Sequence, residues 1–260
     1  MPRRPDRPAF TLIELVIVIG IIAILIGLLL PVLGSVRRQA RTAQCMSNVR
    51  QINTSFTAYR AANQGKSIVY NYLDCLWIKV LRKEFAAIDE VRTCPEATDP
   101  SSRGVAEPYG TATTTWGPGT GTSSGPMMGA YSGSYLFNGW LYLPGTAAMY
   151  NNMLPFFANN AKSFVAMTDP KVSSSETPTF ADGAWVDGWP HWDNSVPTDL
   201  QNPMYGSGPS SGNMGRVCLN RHNKRVNVAF LDGSARQVSL AELWQLRWTR
   251  DWQPKTVVVP

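Results

Sequence analysis

Charge is scarce in this chain. Only 16% of its 260 residues are Asp, Glu, Lys or Arg, and only two histidines occur, His191 and His222. Neither HExxH nor G-x-S-x-G is present, so zincin and serine-hydrolase chemistries have no motif to stand on. Cysteine is limited to Cys45, Cys75, Cys94 and Cys218 with no CxxC pair, which argues against zinc-ribbon and thioredoxin-like folds. An even count permits two disulfides outside the cytoplasm, but four cysteines allow three pairings and spacing does not choose among them. Gly (21) and Pro (19) are plentiful, as suits a turn-rich body and not a helical bundle. The net charge of +6 does not form a nucleic-acid-binding face. Instead Arg3, Arg4, Arg7, Arg37, Arg38, Arg41 and Arg50 flank one apolar run. The first three mark a cytoplasmic end, and the others suit solvent or lipid headgroups.

That run is the main positive feature. From Leu15 to Leu33 there are 19 residues without a charge, close to the span of a bilayer core. A cleaved secretory signal would have a shorter apolar stretch and a better small-x-small site than Val32 to Gly34. A plain anchor explains the length but leaves Glu14 as an expensive carboxylate at its edge. "AFTLIELVIVIGIIAIL" resembles the amino-terminal signature of type IV prepilins and type II secretion pseudopilins. The resemblance implies a basic leader, MPRRPDRPA, cut by prepilin peptidase between Ala9 and Phe10. It also implies N-methylation of Phe10 and an assembly role for Glu14, the fifth mature residue. Ala9 departs from the glycine usual at that place.

The helix is expected to continue past the membrane. Val36, Ala40, Ala43, Met46, Val49, Ile52, Phe56 and Tyr59 recur at spacings of three and four, making one apolar stripe, and "NQGK" at 63–66 ends it. Pro31 favours a kink, with Gly20 and Gly27 weakening the same stretch. A short amphipathic helix follows within 67–97. Residues 99–130 read as a long Gly/Ser/Thr/Pro surface loop, and 197–215 as another. Strands are expected in 130–143 and 177–195. Near the carboxy terminus, Val226, Val228 and Phe230 line one side of a strand. Asp232-Gly233 signals a two-residue hairpin turn. Ser239 and Glu242 then make a capping box for a helix that carries Leu240, Trp244, Trp248 and Trp252 on one face.

His222, nine intervening residues and Asp232-Gly233 match the H-x9-DG signature, which resembles that of a large prepilin-like group from planctomycete and verrucomicrobial-type bacteria. Members often carry a cysteine on the amino-terminal helix and a Cys-Pro before a loop. The resemblance therefore implies a Cys45–Cys94 disulfide, leaving Cys75–Cys218 as the second pair. Asp182, Asp187, His191 and Asp193 could be built into a divalent-ion site, but "DGAWVDGWPHWDN" reads equally as turns. The calcium loop of major pseudopilins has no counterpart here. Trp185, Trp189, Trp192, Trp244, Trp248 and Trp252 suit a stacked core better than a glycan platform.

The expectation is a pilin-like α+β protein, with leader 1–9, helix 10–62 (transmembrane about 12–33) and a periplasmic or extracellular domain 63–260. It is a non-enzymatic subunit of a pseudopilus or type IV pilus-like filament, with no cofactor, metal or nucleic acid. Its partners would be the inner membrane, prepilin peptidase and other pilin subunits. The alternative is a tethered polysaccharide-binding module.

Overall fold

A computed structural model describes residues 12–71, 76–85, 87–97, 109–117, 131–144, 158–167, 169, 172–204 and 209–260, without the side chains of 209–212. The chain divides into two compact units, Met1–Arg41 and Thr42–Pro260. Helix α1 (Leu12–Ala62) belongs to both. In the first unit its aliphatic side chains are exposed around the whole circumference, from Leu12 to Val36. A helix that is apolar on every side belongs in lipid or among other helices. It is long and apolar enough to cross a membrane. The helix is continuous through Pro31.

In the second unit α1 becomes one-sided. Cys45, Asn48, Val49, Ile52, Asn53, Ser55 and Phe56 are buried, and Met46 and Tyr59 partly so. The expected stripe is therefore present from Met46 to Tyr59, where polar residues interrupt it, whereas Val36, Ala40 and Ala43 are exposed. Each of these has work to do: Asn48 Nδ2 donates to the Thr93 carbonyl (3.0 Å), and Asn53 Nδ2 to the Phe230 carbonyl (2.8 Å). Thr179 Oγ1 donates to Asn53 Oδ1 at 2.7 Å. These bonds fix the helix against the segment after α3 and against the sheet while meeting the cost of burying amides. The helix ends where expected, with Gln64 and Gly65 at positive φ and a Gly65 N–H bond back to the Arg60 carbonyl.

Two short helices follow, α2 (Leu76–Glu84) and α3 (Ile88–Val91). The sheet contains β1 (Tyr135–Asn138), β2 (Pro178–Asp182), β3 (Asp187–Gly188), β4 (Arg225–Phe230) and β5 (Ala235–Ser239), in the order β3-β1-β2-β4-β5. Every neighbouring pair is antiparallel except β1 and β3, so the sheet is mixed. Its core is aromatic. Phe56 from α1 meets Phe137 (5.2 Å) and Phe180 (5.9 Å), and Trp77 meets Phe180 (5.2 Å), all edge to face.

Three expectations need correction. The β4–β5 turn has three residues between Phe230 and Ser234, not two: the Phe230 N–H donates to the Ser234 carbonyl, and Gly233 takes φ +91°. Asp232 Oδ1 accepts from both the N–H and Oγ of Ser234, which favours this looser turn. The capping box does not form. Ser239 lies in β5, Glu242 pairs with Arg236 (2.5 Å), and only a 3-10 turn, Ala241–Trp244, follows. The tryptophans explain why. Buried indole N–H groups need acceptors, and Trp248 and Trp252 take the carbonyls of Leu243 and Trp244, which a helix would have used. Finally, the described part of 99–130 is not surface loop. Thr111, Ala112, Thr114, Thr115 and Trp116 are buried, and the Trp116 ring lies so close to Gly133 that a Cβ there would sit 2.4 Å from it.

Candidate functional site

Two places carry chemistry. One is the start of α1. Glu14 lies in its first turn and is exposed, at the end where the helix dipole favours a negative charge. Ala9 and Phe10, the expected cleavage and methylation positions, lie outside the described residues.

The other is a buried cluster under the carboxy-terminal end of β2. His222 opens a tight turn whose central residues, Asn223 and Lys224, both have left-handed φ (55° and 58°). The His222 N–H donates to the Arg225 carbonyl, closing the turn onto β4. Asn tolerates this conformation; Lys holds it at a cost of roughly 1–2 kcal/mol. The turn sends the His222 ring into the protein, where its two nitrogens meet different partners. Nδ1 is 3.2 Å from Thr42 Oγ1 on α1. Nε2 is 3.3 Å from Asp182 Oδ2 at the end of β2 and 3.6 Å from Cys94 Sγ. Cys94 forms a disulfide with Cys45 of α1, closing 49 residues. That pairing agrees with the one implied by the family resemblance. The second pair is not formed: Cys218 is free and buried, and burial pushes its thiol up to about 12. Cys75 lies outside the described residues.

Asp182 is the hub. Its Oδ2 also accepts the Asn227 N–H at 2.6 Å, and its Oδ1 lies 3.6 Å from Arg221 Nη1. Burial pushes this carboxyl up, but His222, Arg221 and the Asn227 N–H together outweigh it and hold the group below its ordinary value. Arg221 is itself wholly enclosed. Its guanidinium donates to the carbonyls of Ser134 (2.6 Å), Thr111 (2.9 Å), Ala112 (3.2 Å), Thr114 (3.3 Å) and Gly183 (3.4 Å). A buried cation surrounded by carbonyls ties residues 111–114 to the sheet and balances the charge of Asp182. Tyr135 Oη donates to the Cys45 carbonyl at 3.3 Å, and burial with the Asp182 charge raises the phenol well above its usual range.

The H-x9-DG residues thus act separately. His222 joins the buried cluster, while Asp232 and Gly233 shape the exposed β4–β5 turn. The acidic stretch considered for a divalent ion also comes apart. Asp182 faces His222. Asp187 pairs with Arg216 (3.1 Å). His191 Nδ1 meets Asp193 (2.7 Å). Burial raises the Asp187 carboxyl to about 6, against the opposing pull of Arg216. Among the described residues these carboxylates share no common point, whereas Cys45, Cys94 and His222 offer ligand atoms within 4.8 Å of one another. A sugar-stacking surface fares no better. Trp185, Trp189, Trp244, Trp248 and Trp252 are buried in the core, and only Trp192 of the six is partly exposed. Arg221, Thr42 and Tyr135 had no sequence signal beyond Arg221 standing next to His222.

Residues 5–30 match the family model described as a prokaryotic N-terminal methylation motif. No curated protein and no solved structure matches the chain.

Proposed function

We propose that this protein is a pilin-like subunit, exported with a prepilin-type signal and built into a type II secretion pseudopilus or a type IV pilus-like filament. The observation that carries this reading is the methylation motif at 5–30, whose residues from Leu12 onward form the start of a helix with aliphatic side chains exposed on every side. An apolar surface of that kind is covered by lipid before assembly and by neighbouring helices afterwards. Transfer between the two environments exchanges one apolar neighbour for another, so little hydrophobic free energy stands in the way.

The leader 1–9 holds the amino terminus in the cytoplasm through Arg3, Arg4 and Arg7, and residues 63–260 lie across the inner membrane. Prepilin peptidase cuts between Ala9 and Phe10. The new amine of Phe10 is methylated and stands four positions, about one helical turn, before Glu14. In a filament the Glu14 carboxylate pairs with that amine on a neighbouring subunit. A buried ion pair of this sort sets register even where it adds little net stability. No step in this role requires catalysis by the chain itself.

The test is mass spectrometry of the native protein. The reading expects a mature chain beginning at methylated Phe10; an intact Met1, or a start after Gly34, would overturn it. Glu14→Ala should leave membrane insertion unchanged and impair filament assembly, and wild-type assembly of that variant would remove the proposed pairing.

A further inference from the structure

We propose that the reduced form of this protein binds one zinc-type divalent ion through Cys45, Cys94, His222 and Asp182. The buried site is then closable in two alternative ways, by the disulfide or by the metal.

In a tetrahedral zinc site the metal lies about 2.3 Å from sulfur and about 2.0–2.2 Å from nitrogen or oxygen. Ligand atoms then stand about 3.6 Å apart for sulfur and nitrogen, and about 3.4 Å for nitrogen and oxygen. His222 Nε2 lies 3.6 Å from Cys94 Sγ and 3.3 Å from Asp182 Oδ2. Two edges of the required tetrahedron are already at the right length. Ligand atoms of Cys45, Cys94 and His222 all fall within 4.8 Å of one another. Two adjustments remain: Asp182 Oδ2, which meets His222 but lies outside that three-residue group, must close on the sulfurs, and the sulfurs, bonded at 2.09 Å, must part to the about 3.8 Å at which a metal would hold them. Reduction releases that constraint.

The surroundings suit a metal. A ligating histidine needs its other ring nitrogen held by a partner, and Thr42 Oγ1 meets His222 Nδ1 at 3.2 Å. Asp182 Oδ2 is likewise fixed by the Asn227 N–H. Two thiolates and a carboxylate bring three negative charges to a divalent ion, leaving one in excess. Arg221, buried beside Asp182, supplies the compensating positive charge. All four ligands are protein groups and buried, which describes a closed structural site and not a catalytic one with an open position. The four ligands come from α1, the segment after α3, the end of β2 and the turn before β4, so the ion would clamp the two segments that the disulfide joins and tie two more to them.

A phosphine or dithiol reductant delivers two electrons to the Cys45–Cys94 bond, and two protons complete the thiols. The metal then displaces both protons as it binds the thiolates. A small-molecule disulfide oxidant takes two electrons from the thiolates and is itself reduced to two thiols, which re-forms the Cys45–Cys94 bond and releases the ion.

The experiment uses the full chain in detergent, reduced with a non-chelating phosphine and titrated with Co²⁺, then with Zn²⁺. The expected result is one cobalt per chain, with thiolate-to-cobalt charge-transfer absorption and the intense visible bands of tetrahedral cobalt. Zinc should bleach these bands, and the oxidised chain should never develop them. Asp182→Asn and His222→Ala should each weaken cobalt binding at least tenfold; Thr42→Ala should weaken it about tenfold by freeing the His222 ring from the hydroxyl that orients it. The reduced wild type provides the decisive measurement if a ligand variant fails to fold. No stoichiometric cobalt in it, the weak absorption of octahedral cobalt, or equal uptake by Cys45→Ala/Cys94→Ala would each overturn the proposal.

Discussion

The Cys45–Cys94 bond is the sharpest test of how this loop-rich body is held together. It links α1 to the segment after α3 across a sequence separation of 49 residues. With the chain-entropy relation for a closed loop of that size, the bond restricts the unfolded chain by about 14 cal/mol/K, or about 4 kcal/mol at 25 °C. Total stabilities of natural domains are about 5–15 kcal/mol, so this is a large share. The neighbouring Asn48–Thr93 hydrogen bond spans the same junction and contributes only about 1 kcal/mol, so it cannot replace the covalent link. The perturbation is Cys45→Ala/Cys94→Ala, compared with wild type treated with reductant. Unfolding is followed in urea by tryptophan fluorescence of the full chain in detergent. All nine tryptophans lie beyond residue 76, so the signal reports on the Thr42–Pro260 unit alone. A chelator is kept present, so that no metal substitutes for the bond. The expected loss is about 3–4 kcal/mol in both cases, with little change in the urea slope. A loss under about 1 kcal/mol in both would refute the claim that this link organises the unit.

Other perturbations separate the remaining forces. Arg221→Ala removes five carbonyl contacts and leaves Asp182 buried without its cation, so a loss of about 3–5 kcal/mol is expected; Arg221→Lys should recover little, because an ammonium has only three donors. Lys224→Gly should stabilise by about 0.5–1 kcal/mol in the same urea assay, since glycine accepts the left-handed φ without strain; destabilisation would show that the side chain matters more than the backbone. Asp187 titrates at about 6 in the fold against an ordinary 3.8, so the folded state holds a proton there that the unfolded chain lacks. Stability should therefore rise as pH falls from about 6 towards about 4, by up to about 3 kcal/mol. Asp187→Asn should abolish that rise, and parallel pH profiles would contradict it. Asp182 works in the opposite direction: its stabilisation is complete above 3.8 and is lost only as pH falls through its depressed folded value, below the Asp187 window.

Local signals in this sequence were legible because their causes are local. The 19-residue uncharged run, the Gln64-Gly65 stop, the 3.6-residue stripe from Met46 to Tyr59 and the turn at Asp232-Gly233 each depend on a few neighbouring residues. Amphipathic spacing also located α2, and alternation located β4. The same reading failed where tertiary partners competed for local hydrogen-bonding groups. Ser239 and Glu242 have the spacing of a capping box, yet two buried indoles took the carbonyls a helix needed, and the segment became a 3-10 turn. Thr111 to Thr115 have loop composition, yet Arg221 required their carbonyls and drew them inside.

Residue order alone reveals an apolar helix near one end of the chain, a methylation-type signal spanning its start and a β-hairpin near the other end. Family resemblance added the Cys45–Cys94 pair. His222 meets Asp182, 40 positions earlier, and Cys94, 128 positions earlier, through long-range packing alone. No periodicity or turn signal reaches across such separations. The meeting depends on β2 lying beside β4 and on α1 crossing that face of the sheet, and both follow from how the whole aromatic core packs.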